Sequence, residues 1–205
     1  MTNQDLSRAA EEHFARGVSF DESGYEERAI AEWQQAIELD PQHVGAHYNL
    51  GIAYADEGHT ELAIAEMREV LRLDPFDTDA RRELAEIYLE TDRYEDAIEQ
   101  LRQILNIAPG EGEAAHELAR IYLDRGMIDQ AAGALEAGAM MEEDAELWFR
   151  VGQAYEQGKR KEDAILAFRR ALVIFPDHRE AARALELLHV PIEEPPDPNE
   201  IEEQE

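Results

Sequence analysis

Cysteine is absent from the 205 residues, so the chain can form no disulfide, thiolate metal site, thiol nucleophile or lipid-modified N-terminal cysteine. Bases are scarce. Nineteen lysines and arginines face forty-eight acids, for a net charge of −29, which argues against nucleic acid and membrane surfaces as partners because both are anionic. No run approaches the ~18 apolar residues of a membrane span, and residues 1–8 lack the basic stretch and apolar core of an export signal. These absences predict a soluble, cytoplasmic chain. What is present is a hydrophobic content of 44%, enough to build the core of one domain or a short repeat array.

The hydrophobic residues recur with a period. The segment A-I-E-L-D-P ending at Pro41 returns as V-L-R-L-D-P ending at Pro75, I-L-N-I-A-P ending at Pro109 and A-L-V-I-F-P ending at Pro176. The first two intervals are 34 residues and the last is 67, two repeats less one residue. Aromatics keep the same beat at Phe20, Tyr54, Tyr88, Tyr122 and Tyr155, small residues at Gly17, Gly51, Ala85, Ala119 and Gly152, and alanine at Ala29, Ala63, Ala97, Ala131 and Ala164. Each copy holds two apolar-periodic runs of about a dozen residues around a short polar turn, which predicts a helical hairpin. The repeating proline stops the second helix, and the small residues let two helices approach. A single hairpin cannot bury its apolar face alone, so the copies must stack.

The segment Tyr48-Asn49-Leu50-Gly51-Ile52-Ala53-Tyr54, followed by Gly58, Ala63 and Leu73-Asp74-Pro75, resembles a near-consensus tetratricopeptide repeat. The resemblance covers about 170 residues and implies an all-α, right-handed superhelical solenoid of five helix-turn-helix repeats, at 10–43, 44–77, 78–111, 112–144 and 145–178. Residues 1–9 lead into the first helix, 179–189 read as a C-terminal capping helix, and 190–205, with four prolines, seven acids and no base, read as a disordered tail. Copy one departs from the pattern at His13 and Arg16, as an end repeat does when one face meets water. Copy four is a residue short, lacks the proline, and carries Gly133 and Gly138 in its second helix, which predicts that the helix at about 129–142 is the softest of the array.

Reactive constellations are hard to find. Three serines and four threonines leave few nucleophiles, and Gly17-Val18-Ser19 sits inside a helix and lacks the second glycine of a nucleophile elbow. Gly110-Glu111-Gly112 has no following Gly-Lys-Ser/Thr, so it is no phosphate loop. Asp74, Asp77 and Asp79 lack calcium-loop spacing and fit helix capping better, while His43 and His47 lack a third metal ligand. No catalytic residue, cofactor or metal is expected, and an enzyme or metal protein is the remote alternative.

Binding is the expected work. The resemblance implies that the first helix of each hairpin lines an inner groove for an extended or helical peptide. This face would carry Phe14, Val18, Tyr48, Asn49 and Ile52 at one end, Glu83, Glu86, Leu89 and Glu90 in the middle, and Glu117, Arg120 and Phe149 beyond. A protein or peptide with an apolar anchor and basic residues would suit it. Asn49 could donate to a peptide carbonyl and accept from a peptide N–H. Members of the family that grip chaperone C-terminal carboxylates use cations where Asp79 and Glu83 stand here, so that ligand class is disfavoured. Self-association as a homodimer is the alternative reading, and salt adaptation or a GC-rich genome is a rival account of the acidity.

Overall fold

A computed structural model describes residues 2–142 and 144–189, and of residues 140–142 the backbone alone. The expected tail at 190–205 lies outside the described residues. Two compact units divide the chain between Ile107 and Ala108. The first holds α1 (Asn3–Glu22), α2 (Glu26–Leu39), α3 (Val44–Asp56), α4 (Thr60–Leu73), α5 (Thr78–Glu90) and α6 (Tyr94–Ile107). The second holds α7 (Gly112–Asp124), α8 (Ile128–Glu142), α9 (Ala145–Gln157), α10 (Lys161–Ile174) and α11 (Arg179–Leu187). No strand occurs among the described residues. Within each unit consecutive helices pack as antiparallel hairpins, and each hairpin packs on the next. This is the all-α solenoid class that the periodicity predicts.

The turn inside each hairpin needs one left-handed residue. Gly24, Gly58 and Gly126 supply it at φ of 74°, 76° and 70°, a region that costs glycine nothing. Asp92 and Lys159 take the same conformation at the corresponding places, with φ of 58° and 59°. Between hairpins the chain stops at Asp40, Asp74 and Phe175, each in an extended conformation ahead of a proline.

Packing inside a hairpin rests on a small residue facing a large one sixteen positions on. A Cβ built at Gly17 would stand 2.5 Å from Trp33 Cδ1, one at Gly51 2.8 Å from Met67 Cε, and one at Gly152 2.5 Å from Phe168 Cδ1. Trp33, Met67 and Phe168 are almost wholly buried. Where the small residue is alanine, at Ala85 and Ala119, the residue sixteen on is leucine, Leu101 and Leu135, and all four are buried. Glycine on this register thus faces a long or aromatic side chain, and alanine faces leucine.

Polar ties add register. His13 Nδ1 lies 2.7 Å from Glu32 Oε2, His47 Nδ1 2.6 Å from Glu66 Oε2, and Arg81 Nη1 donates to Gln100 Oε1 at 3.2 Å, three copies of one contact between the helices of a hairpin. The recurring tyrosine ties successive hairpins. Gln34 Nε2 donates to Tyr54 OH at 2.9 Å, Arg68 Nη2 donates to Tyr88 OH at 3.0 Å, and Tyr155 OH donates to Glu136.

Gly133 has none of these duties. A Cβ there would meet nothing within 4 Å, whereas one at Gly138 would lie 3.0 Å from Ala115 Cβ. Gly133→Ala is therefore expected to raise stability by about 1 kcal/mol, the helix-interior difference between the two residues. Denaturant unfolding measures it. Hydrogen exchange should find α8 the fastest-exchanging helix in its unit and should slow it in the variant; protection in α8 matching that in α9 would refute the expectation.

Candidate functional site

Successive first helices of the hairpins carry their faces in one register, and Phe14, Tyr48, Arg82, His116 and Phe149 share a place on it. Within each unit that place adjoins the N-terminus of the next hairpin or of α11, where a residue that caps with its side chain recurs at His43, Asp77, Asp144 and His178. Asp77 Oδ1 accepts from Ala80 N at 2.8 Å, and Asp144 Oδ1 from Glu146 N at 2.8 Å. The two histidines cap with a ring nitrogen: Nδ1 of His43 accepts from Ala46 N at 3.1 Å and Nδ1 of His178 from Ala181 N at 3.3 Å. In that tautomer Nε2 carries the proton, and it faces Glu11 at 3.2 Å and Glu146 at 3.5 Å respectively. The capping residue lies two positions after Pro41, Pro75 and Pro176, a signal the sequence held and the hydrophobic period did not reveal.

Two of the expected groove aromatics pack against these caps. The Phe14 ring lies 4.7 Å from that of His43 and rests on Gly45, where a Cβ would come within 3.1 Å of it. Phe149 lies 5.1 Å from His178 and 5.7 Å from Phe168. Both are half-buried and hold neighbouring hairpins together. His43 is engaged likewise, and Asp74, Asp77 and Asp79 serve Phe76 N, Ala80 N and Arg82. Among the described residues no three His, Asp or Glu side chains converge as a metal ion would require.

In the first unit, α3 and α5 bring Tyr48 and Glu83 together, with the phenol O–H donating to Glu83 Oε1 at 3.5 Å. Burial pushes the Tyr48 hydroxyl pKa up to about 12, reinforced by the negative charges of Glu83, Asp79 and Asp77. Burial likewise raises the Glu83 carboxyl above the usual range, and Glu86 raises it further, more than Arg82 offsets. Glu83 is thus a half-buried acid short of positive charge. Val18, Asn49, Ile52 and Leu89 are half-buried on their helices, and Glu86 and Glu90 are exposed. The Asn49 amide makes no hydrogen bond among the described residues.

In the second unit, α7 and α9 border a cleft of about 570 Å³ lined by Glu117, Arg120, His116, Leu123, Arg150 and Gln153 among others. Its cations have partners: Arg120 Nε donates to Glu117 Oε2 at 3.0 Å, and Arg150 Nε to Glu146 Oε1 at 3.0 Å. Burial, with Arg150 close by, lowers the His116 pKa. Phe149 does not line this cleft.

Stacked antiparallel helix pairs, each closed by a small-to-large contact, with no convergent metal-binding groups among the described residues, define a helical-repeat protein. Three models described as tetratricopeptide repeats match residues 20–58, 54–118 and 116–179. The chain belongs to the tetratricopeptide repeat family, whose members are typically non-catalytic protein-interaction scaffolds. No curated protein matched the sequence. Among solved structures, that of MamA has a TM-score of 0.66 at 21% identity, covering 91% of this chain and 98% of that one. YrrB, described as a TPR protein with an unusual peptide-binding site, gives 0.61 at 21% identity over 90% of this chain and 100% of that one. PilF of Pseudomonas aeruginosa gives 0.59 at 19% identity over 90% and 94%. At these identities the likeness is one of fold. No helix among the described residues is long and apolar enough to cross a membrane.

Proposed function

We propose that the protein is an adaptor without catalysis of its own, and that the face of α3 and α5 takes up a peptide segment carrying an apolar anchor and a lysine or arginine. The observation that supports this reading is Glu83, a half-buried carboxylate whose proton affinity is raised by burial and by Glu86. A cation from a ligand would relieve both effects at once. Tyr48, Ile52 and Val18 would hold the apolar anchor, and Phe14 would border it. Asn49 would bond the ligand backbone with both ends of its amide. Glu86, Leu89 and Glu90 would extend the contact along α5. In the second unit Glu117 and Arg120 would offer a mixed-charge surface of their own, with Phe149 supporting the helix beneath.

A peptide array read at low and high salt tests this. Basic peptides with an aromatic or aliphatic residue should bind, should weaken as salt rises, and should lose about tenfold in affinity against Glu83→Gln or Tyr48→Ala, roughly 1.4 kcal/mol. Acidic peptides binding equally well would defeat the electrostatic part, and unchanged affinity in both variants would remove the site.

A further inference from the structure

Eight large apolar side chains are strongly exposed among the described residues, and three of them, Leu166, Val173 and Phe175, fall on α10 and its C-cap, with a fourth, Leu187, at the end of α11. Leu166, Arg170 and Val173 form one stripe along α10, spaced four and three apart. The guanidinium of Arg170 lies 6.0 Å from the ring centroid of half-buried Trp148, and the two border a cleft of about 380 Å³ with Leu166. The acids at its edge already have partners, since Glu136 accepts from Tyr155 and Asp163 accepts from Arg160 Nε at 2.7 Å. Arg170 makes no ion pair among the described residues.

Charge is distributed unusually here. Residues 159–183 carry seven bases and four acids, a net of +3 in a chain of net −29. Residues 190–205, which follow at once, carry seven acids and no base, together with four prolines, Val190, Ile192 and Ile201. Sixteen residues can span up to about 55 Å, whereas the fourteen of α10 extend about 21 Å, so the segment reaches any part of the stripe.

We propose that the C-terminal segment 190–205 docks on this solvent face of α10, laying prolines and isoleucine on Trp148 and Leu166 and setting its carboxylates beside Arg170. Aromatic-lined grooves take proline-rich segments in this way, and an acidic segment matches the one basic part of the chain. A second copy is a poorer occupant, because two chains of net −29 repel, while a tethered segment acts at an effective concentration in the mM range.

Acrylamide quenching of tryptophan fluorescence tests the proposal, because Trp33 is buried and the accessible signal is that of Trp148. Ending the chain at His189 should increase quenching severalfold, and a synthetic peptide of residues 190–205 added to the shortened chain should reverse the increase at low salt but not at high salt. Arg170→Glu in the full chain should quench like the shortened chain with unchanged circular dichroism. Should that variant misfold, the peptide experiment on the shortened chain, which keeps Arg170, decides. Equal quenching with and without the segment would overturn the proposal, as would protection of Trp148 that grows with protein concentration, which would make a second copy the occupant.

Discussion

Gly152→Ala is expected to destabilise the protein by about 3 kcal/mol, the upper range for forcing an extra carbon into a packed core. The new Cβ would stand 2.5 Å from Phe168 Cδ1 and closer still to its neighbour on the ring. Phe168 cannot retreat, since it is wholly buried and has Phe149 against it at 5.7 Å. The same reasoning identifies the rescue. Where nature places alanine on this register, at Ala85 and Ala119, the residue sixteen on is leucine. Gly152→Ala combined with Phe168→Leu should therefore recover most of the loss, although Phe168→Leu alone should cost stability by leaving space over glycine. Urea unfolding of the four members of this double-mutant cycle gives the coupling directly. Additive losses would mean that the two residues do not meet as described.

The second large effect concerns His47, whose side chain is almost wholly buried between two acceptors. Nδ1 faces Glu66 Oε2 at 2.6 Å and Nε2 faces the Pro41 carbonyl oxygen at 3.2 Å, so both contacts are hydrogen bonds at once only when the ring is protonated. The hydrogen bond to Glu66 raises its pKa above the ordinary 6.5, with burial opposing. A folded pKa above the unfolded value means that folding takes up a proton. The stabilisation is complete below about pH 6.5 and is lost as pH rises through the raised folded value. Glu66→Ala should cost about 2 kcal/mol at pH 6, the value of a hydrogen bond to a charged group, and the difference from wild type should shrink as pH rises. Urea midpoints for both proteins between pH 5.5 and 9 measure this. A difference that stayed constant with pH would show that the pair is not ionised.

Much of the fold could be read before any coordinates. The prolines, turn glycines and alanines recur because each hairpin solves the same local problem, and a period of 34 residues is visible without knowing what touches what. Gly133 stood out because its helix offered no other reason for a glycine, and the structure places nothing near it. The left-handed turns at Asp92 and Lys159 could not be recognised by residue type, because the tertiary context holds them where glycine would go freely. The size pairing of Gly17 with Trp33 and Ala85 with Leu101 was present at a fixed offset, yet only contact distances give that offset a meaning.

The candidate site divides differently. The repeat period gives Phe14, Tyr48 and Phe149 the same place in their respective helices, and the family resemblance implies that this place faces a groove. It could not reveal that Phe14 and Phe149 spend their rings on His43 and His178, because the caps belong to another helix and approach through space. Nor could spacing reveal that Glu83 is half-buried beside Tyr48 while Glu86 and Glu90 remain in water. A repeating pattern specifies each helix, its turns and the side it buries, since those are local energies that recur in every copy. How much of a shared face remains for a ligand depends on how near the next hairpin's N-terminus comes, a distance between segments far apart in the chain.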